Sequence, residues 1–278
     1  NQNCWKECRV NFLEEEGGYL VRRLSGGGAV FHDLGNLNFT FIVRKPDYDV
    51  DRQLQVILEA VRMLGIQAEK TGRNDITVEG RKFSGNAFYQ SGDCCYHHGT
   101  LLIHADKDNM SRYLNVPREK LASKGVSSVK SRVANLDEFC PGLTVDRMKA
   151  ALVEAFSQVY GQRAGKMEEK ELPEEAIGPL TEKFESWQWK YGRKIPFEHE
   201  MEHRYAWGGI QMQFHVDEGR IKDVNVFSDA MDQELIGNLA EKLRDCPYEE
   251  NAMCAAVEKV GTKESMRQDI LSLIKESM

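Results

Sequence analysis

The sequence predicts an α+β protein with two domains, a large mixed-sheet domain with helices and a small C-terminal α+β domain. Its 278 residues, at about 150 residues per domain, correspond to slightly fewer than two domains. Alternating apolar residues that predict strands occur in both parts of the chain, each time followed by apolar residues at helical spacing. From Tyr205 onward, two strands and then helices form a module of about 80 residues, near the lower limit for independent folding.

The first predicted elements surround a glycine-rich connection. Residues 18–23 and 38–43 predict strands, because apolar side chains alternate with polar or small ones. A helix is predicted from Asp51, where apolar residues recur at helical spacing as far as Gly65, a residue type that commonly ends helices. Strand, loop, strand and helix in this order are typical of the opening of a mixed α/β domain.

The next segment predicts an antiparallel meander. Residues 76–78 and 81–83 lie on either side of a Glu-Gly turn, and residues 96–103 form a further alternating strand. Thr144 is a predicted N-cap for a helix that extends to Val159 and packs on the sheet.

The second half begins with a polar connection. Residues 166–179 are acidic and have no apolar periodicity, which predicts an exposed segment. Strands follow at 210–216 and 221–226, and helices at 235–243 and 266–274.

The charge distribution argues against some classes of partner. Residues 1–140 carry 19 basic and 18 acidic side chains, and residues 141–278 carry 18 and 26, so the net charges are +1 and −8. Neither part has the basic surplus of a non-specific nucleic-acid or anionic-membrane binder, and no apolar run reaches the roughly 18 residues of a membrane span. We therefore predict neither nucleic acid nor membrane as a partner. The seven cysteines are odd in number and scattered, which favours reduced thiols and a cytoplasmic location.

The segment RRLSGGGAVFHD, at residues 22–33, carries the strongest functional signal. Three consecutive glycines remove every Cβ atom, so that a ligand can approach bare backbone and amide groups can turn toward an anion. Arg22 and Arg23 alternate in direction, so only one of them can point toward this loop. A flexible turn with two solvated arginines is the alternative interpretation. The spacing matches neither the Walker P-loop nor GxGxxG, which argues against a P-loop ATPase and a Rossmann dehydrogenase.

Five segments, in order, closely resemble motifs of the lipoate–protein ligase A family, which is related in fold to the biotin–protein ligases. They are RRLSGGGAVFHD with GNLNF (22–39), GRNDI (72–76), KFSGNA (82–87), HHGTLL (97–102) and SRVANL (131–136). The segment WQWKYG (187–192) resembles the end of the family's catalytic domain. The resemblance implies a biotin/lipoate ligase-like fold, with a lipoate-adenylating catalytic domain over residues 1–195 and an accessory domain over residues 196–278.

The resemblance also implies a two-step reaction. Lipoate and ATP give lipoyl-AMP and pyrophosphate, with Mg²⁺, and the lipoyl group then passes to a lysine of an acceptor, an E2 subunit of a 2-oxoacid dehydrogenase or the glycine-cleavage H protein. The first step brings a carboxylate up to the α-phosphate, so the site must supply fixed positive charge and amide donors.

The family's site residues can be assigned to matching positions in this chain. Lys82 is the expected catalytic residue, in contact with both ATP and lipoate. The expected ATP-binding residues are Arg23, Gly28, Ala29, Val30, Phe31 and Lys82, and the expected lipoate-binding residues are Gly27, Gly28, Lys82 and His98. Secondary candidates are Asn74, Asp75, Gly85, Ala87 and Thr100, with Asp75 also a candidate Mg²⁺ ligand. Taken alone, Lys82 would be interpreted as a surface lysine of a hairpin, and Asn74 and Asp75 as an Asx-turn.

Cys94, Cys95, His97 and His98 lie close enough in sequence to suggest zinc. On an extended segment Cys94 and His98 face one way, whereas Cys95 and His97 face the other, so the four side chains cannot converge. We therefore predict no zinc site here.

Three alternatives remain beside the ligase. An octanoyl or lipoyl transferase of the same superfamily would need a cysteine near the acyl carbon, for which Cys94 or Cys95 is the candidate. A biotin–protein ligase is disfavoured because its arginine- and glycine-rich nucleotide loop is not found. A non-catalytic module that binds lipoyl-adenylate or a lipoyl domain is disfavoured by Lys82, a charge that such a module does not need.

The family has further strands and a helix before the position of Asn1, and we expect the natural chain to be longer.

Overall fold

The computed structural model describes residues 2–72, 74–115 and 132–278. The chain packs as two units, which we describe separately. The large unit comprises Cys8–Gly18 and Val30–Thr181, and the small unit comprises Asn1–Glu7, Tyr19–Ala29 and Glu182–Met278. This grouping concerns packing, and the functional boundary at residue 195 stays a prediction.

The regular elements are as follows in chain order. The strands are β1 (Asn36–Arg44), β2 (Glu69–Thr71), β3 (Asp75–Val78), β4 (Arg81–Ser91), β5 (Cys94–Leu102), β6 (His199–Tyr205), β7 (Gly208–Asp217) and β8 (Arg220–Ser228). The helices are α1 (Cys4–Glu7), α2 (Val10–Glu15), α3 (Val50–Met63), α4 (Lys107–Tyr113), α5 (Val145–Tyr160), α6 (Glu174–Glu185), α7 (Trp187–Tyr191), α8 (Gln233–Leu243), α9 (Glu250–Val257) and α10 (Glu264–Ser277). Short 3₁₀ turns occur at Lys45–Asp47, Leu136–Glu138 and Glu169–Glu171.

The large unit is built on an antiparallel sheet with the strand order β1-β5-β4-β3-β2. Helices α3 and α5 begin at side-chain caps, where Asp49 accepts from the amide of Arg52 and Thr144 accepts from the amide of Arg147. Their apolar residues and one face of the sheet form a continuous core. We call this side of the sheet the core face and the opposite side the site face. The predicted strands 38–43, 76–78 and 96–103 and both predicted helices are confirmed.

The small unit has the antiparallel sheet β6-β7-β8, and helices α8, α9 and α10 contribute to its core. Strands β7 and β8 and helices α8 and α10 agree with the predicted α+β module. The sequence pattern did not reveal β6, because its outer residues are charged or polar. It also did not reveal α9, a helix of only two turns. The predicted fold class is confirmed in both units.

One prediction about local structure was wrong, and one segment is more regular than expected. Residues 18–23 form no strand, although their pattern alternates, and the side chains of Tyr19 and Val21 are largely exposed. Alternation favours a strand only where a neighbouring strand pairs with it. The acidic segment 166–179 is exposed as predicted, but its end from Glu174 onward belongs to α6.

In the part of the chain that the structure describes, no helix is both long and apolar enough to cross a membrane.

Candidate active site

The position of Lys82 depends on an irregularity in β4. Lys82 and Gly85 are three residues apart, so a regular strand would place them on opposite faces. Ser84 pairs with Ile76 and Lys82 pairs with Thr77, so that Phe83 is the extra residue of a β-bulge. Phe83 is fully buried in the core. The bulge thereby brings the Lys82 side chain to the site face, over Gly85.

Lys82 takes part in a charged cluster that includes a carboxylate. Its Nζ atom lies 2.6 Å from Oδ1 of Asp75, and Nη2 of Arg132 lies 3.0 Å from Oδ2 of the same carboxylate. Burial disfavours the charged form of Asp75, but the two cations outweigh it and hold the pKa of Asp75 below its usual value. Asp75 is therefore ionised at neutral pH and holds the Lys82 ammonium in one direction.

Gly85 provides the space that the Lys82 side chain occupies. A Cβ atom at residue 85 would lie 2.7 Å from Nζ and 2.9 Å from Cε of Lys82. The Gly85 amide donates to Oγ1 of Thr100 at 3.4 Å, across the β4–β5 pair. We call Asp75, Lys82, Gly85, Thr100 and Arg132 the lysine site.

The site face continues along β4 and β5. Ala87 pairs with His98, and Gly85 pairs with Thr100. Their alternation puts all four on the side where Lys82 lies. The structure thus brings together six of the predicted site residues: Asp75, Lys82, Gly85, Ala87, His98 and Thr100.

The predicted alternation of the segment 94–98 is confirmed. Cys95 and His97 are buried on the core face, whereas Cys94 is exposed and His98 half-buried. Burial lowers the pKa of His97 to about 4, so its ring is neutral at physiological pH. Among the described residues, no group of three or more His, Cys, Asp or Glu side chains is arranged to hold a metal ion.

Asn74 is held by its neighbour on the sheet. Its side-chain amide donates to the Asn86 carbonyl oxygen at 2.9 Å, and its own carbonyl oxygen accepts from the backbone amide of Asn86 at 2.8 Å. Asn74 therefore fixes the start of β3, directly before Asp75.

Asp75, the candidate Mg²⁺ ligand, lies between two cationic side chains. Each of its carboxylate oxygens faces a cation, Lys82 on one side and Arg132 on the other. Both cations would repel a divalent cation that approaches this carboxylate. In this structure the carboxylate holds Lys82, and its role as a Mg²⁺ ligand stays a prediction.

The glycine-rich segment belongs to the small unit as far as Ala29. We call residues 25–29 the glycine loop. Arg23 folds back on this loop and donates to Oγ of Ser25 at 3.0 Å and to the carbonyl oxygens of Gly26 and Gly28 at 2.6 and 3.0 Å. Arg22 points elsewhere, to the carbonyl oxygens of Lys190 and Gln2. Of the two arginines, Arg23 is thus the one beside the loop.

Two of the glycines are required by the loop geometry. A Cβ atom on Gly26 would lie 2.5 Å from the carbonyl oxygen of Ala230, and Gly27 has a φ of 92°, which L side chains rarely adopt. The interpretation as a flexible turn with solvated arginines therefore does not describe this segment.

Val30 and Phe31 continue the motif in the large unit. The Phe31 ring stacks on Tyr113 with a centroid distance of 5.7 Å and packs against a small cluster around Leu102 and Met110. Val30 is largely exposed. The side chain of Phe31 is thus occupied by packing, which leaves its backbone for the predicted ATP contact.

Sequence reasoning missed three residues of this arrangement. Arg132 lies in the motif SRVANL, but its hydrogen bond to Asp75 joins residues 57 positions apart, so no local pattern predicts it. Asn86 and His97 also lie within motifs, but on the core face, and a polar residue at a core position of a strand was the signal that could have found them.

Comparisons with known proteins agree with this architecture. The family model of the lipoyl protein ligase A/B catalytic domain matches residues 1–157, and that of the bacterial lipoate protein ligase C-terminus matches residues 194–275.

Solved structures of such ligases are similar to this chain. LipL1 of P. falciparum, in complex with lipoate, has 30% identity and a TM-score of 0.84, with 99% of this chain and 82% of that chain covered. The bipartite lipoate protein ligase of Thermoplasma acidophilum, studied with its E2 lipoyl domain, has 30% identity and a TM-score of 0.59 over 70% and 79% of the two chains. A lipoate-protein ligase A bound with ATP has 27% identity and a TM-score of 0.57 over 69% and 79%. The chain belongs to the lipoate–protein ligase family.

Proposed function

We propose that this chain is an ATP-dependent ligase that activates lipoate as lipoyl-AMP and transfers the lipoyl group to an acceptor lysine. The observation that carries the proposal is the Lys82 ammonium, held on the site face by Asp75 over the bare backbone of Gly85. The similar structures with lipoate and with ATP support the choice of substrates.

In the first step, a carboxylate oxygen of lipoate attacks the α-phosphorus of ATP. The new bond is the mixed anhydride of lipoyl-AMP, and the bond to pyrophosphate breaks. Lys82 offsets the repulsion between the carboxylate and the α-phosphate and stabilises the charge in the transition state. Arg23 and the backbone of Gly28, Ala29, Val30 and Phe31 bind the nucleotide. Mg²⁺ would accompany ATP and neutralise charge on its phosphates, with Asp75 as the candidate ligand from the chain, and Asp75 also holds Lys82.

In the second step, the neutral amine of an acceptor lysine attacks the lipoyl carbonyl carbon. An amide bond forms, AMP leaves with the electron pair of the anhydride bond, and the amine loses a proton to solvent. The acceptor is an apo lipoyl domain of an E2 subunit or an H protein. The archaeal ligase studied with its E2 lipoyl domain supports this class of partner. On the lipoate side, we assign Gly27, Gly28 and His98 to the acyl group, as the family resemblance implies. Within the large unit, Ala87 and Thr100 lie on the same face as His98, and Asn74 directly precedes Asp75.

The second candidate, an acyl transferase without ATP, needs a thiol beside the acyl carbon. Cys94 pairs with Ser91 at the far end of the β4–β5 pair, six residues and roughly 20 Å from Thr100. Cys95 is buried on the core face. The position of both cysteines and the match to the ligase C-terminus favour the ligase.

The test is release of pyrophosphate from ATP in the presence and absence of lipoate. We expect release only when both substrates are present, and formation of lipoyl-AMP in equal amount. Acyl transfer from an acylated carrier protein at full rate without ATP, with no lipoate-dependent pyrophosphate, would establish the transferase instead.

A further inference from the structure

His97 is a buried residue that the proposed chemistry does not use. The ring is fully buried and lies among Phe39, Phe41 and Phe88, with centroid distances of 5.5, 5.8 and 4.9 Å. A polar ring in such surroundings loses free energy of hydration unless both nitrogens have partners. The partners of these nitrogens therefore indicate what the residue does.

The hydrogen bonds of Asn86 determine which nitrogen of His97 carries the proton. Nδ2 of Asn86 donates to the carbonyl oxygen of Asn74 at 3.1 Å, an atom that can only accept. Oδ1 of Asn86 must then be the atom that lies 2.9 Å from Nε2 of His97. Because this oxygen accepts, Nε2 is protonated.

The same reasoning fixes the orientation of Gln53. A neutral imidazole has one proton, so Nδ1 of His97 is an acceptor. The structure places Oε1 of Gln53 3.1 Å from Nδ1, and because Nδ1 accepts, the amide must be assigned with its nitrogen in this position. This orientation also gives a partner to Nε2 of Gln53, a buried atom that has none among the described residues when the amide points the other way.

From His97 the hydrogen bonds lead to the lysine site. Asn86 and Asn74 are joined by three hydrogen bonds of 2.8, 2.9 and 3.1 Å. The residue after Asn74 is Asp75, whose carboxylate lies 2.6 Å from the Lys82 ammonium. A continuous series of contacts thus crosses the sheet from the core face to the site face.

Gly99 provides room for the Asn86 amide. A Cβ atom at residue 99 would lie 2.8 Å from Oδ1 of Asn86 and 2.6 Å from the Phe39 ring. Any larger residue would push the amide away from His97. Glycine at residue 99 therefore accommodates both the Asn86 amide and the Phe39 ring of the core.

We propose that His97 is a positioning residue for Lys82: its Nε2–H group orients the Asn86 amide, which holds the Asn74–Asp75 turn and so fixes the carboxylate that directs the Lys82 ammonium. The effect on turnover rests on the proposed function, whereas the effect on Lys82 itself does not.

The test uses three variants of the full chain. His97→Gln keeps a donor near the position of Nε2, His97→Leu removes both nitrogens, and Phe41→Leu reduces packing on the same ring without touching a hydrogen bond. We expect His97→Leu to lower kcat for adenylate formation by about 10²-fold with little change in KM, because a misdirected reacting group costs about this much. His97→Gln should restore most of kcat, and Phe41→Leu should retain it.

A second measurement does not depend on activity. The rate at which an amine-reactive acylating reagent labels Lys82, relative to the exposed Lys149, is read by peptide mass spectrometry in the same variants. We expect Lys82 to react several-fold faster in His97→Leu only, because its ion pair with Asp75 opens more often. Equal labelling in His97→Leu and Phe41→Leu, or equal loss of kcat in His97→Gln and His97→Leu, would overturn the proposal. If the unmodified chain releases no lipoate-dependent pyrophosphate, the proposed function fails and the labelling rates alone decide the role of His97.

Discussion

In the large unit, Lys82 is held by strand pairing and a buried carboxylate, whereas in the small unit Arg23 is held by carbonyl oxygens of a loop without regular structure. Both arrangements fix a cation beside glycine backbone. They differ in what the glycines contact: Gly85 faces the end of the Lys82 side chain, and Gly26 faces the backbone of Ala230. The comparison teaches that the lysine site and the glycine loop can be perturbed separately.

The largest effect is expected from removal of the Lys82 charge. Lys82→Ala should lower the rate of adenylate formation by about 10³-fold, because a fixed charge at the reacting atoms is lost. The fold should persist, since Asp75 keeps its ion pair with Arg132. The measurement is pyrophosphate release in the presence of lipoate, with thermal unfolding in parallel.

Lys107→Ala is a matched control for this variant. Lys107 has a side chain 24% exposed against 23% for Lys82, and it is also ion-paired, to Glu138. Equal loss of turnover in both variants would show that general loss of an ion pair, and not the Lys82 charge, is responsible.

Gly85→Ala should separate turnover from stability. The added methyl group meets only the end of the Lys82 side chain, which can move aside, so the melting temperature should change little. The displaced ammonium should lower kcat by about 10²-fold. A variant that melts early, or that turns over normally, would contradict the close approach of Lys82 to Gly85.

Gly26→Ala, in contrast to Gly85→Ala, should lower stability and raise KM for ATP. The methyl group would meet the Ala230 carbonyl oxygen, so the loop backbone must shift at a cost of about 1–3 kcal/mol in the free energy of unfolding. We expect KM for ATP to rise by about tenfold while KM for lipoate changes less. Gly165→Ala, where nothing lies within 4 Å of the added atom, is the neutral control. An unchanged KM for ATP in Gly26→Ala would remove the glycine loop from nucleotide binding.

The last prediction concerns stability and not turnover, namely the dependence of stability on pH through His97. As pH falls through 6.5, the unfolded chain takes up a proton at residue 97, which the folded chain does not bind until about pH 4. The unfolded state then binds more protons, so stability falls with pH, by roughly 3 kcal/mol in total between pH 6.5 and 4. Urea unfolding of the unmodified chain and of His97→Gln at several pH values measures this difference. Identical pH dependence in the two proteins would contradict a buried, neutral His97.

Elements with a local signal could be predicted from the sequence. The cap at Thr144 and the alternation in β1 and β5 depend on neighbouring residues only, and these elements are confirmed. Residues 18–23 show the limit of such reasoning, because a strand also needs a partner strand, which the local pattern does not contain.

The candidate site was predictable in its residue types but not in its geometry. The motif resemblance pointed to Lys82 and Asp75, and the structure places them 2.6 Å apart. The bulge at Phe83 depends on the register between β3 and β4. The contact of Asp75 with Arg132 depends on a segment that lies far along the chain. Both are products of tertiary pairing, so the ion pair of Asp75 with Lys82 could be recognised only in the structure.

The most direct test of the central claim is the intact mass of an apo lipoyl domain after incubation with the chain, lipoate, ATP and Mg²⁺. The account predicts a gain of one lipoyl group, no gain when ATP is omitted, and no gain with Lys82→Ala on the same time scale. A full gain without ATP, or with Lys82→Ala at the normal rate, would contradict adenylation at the lysine site.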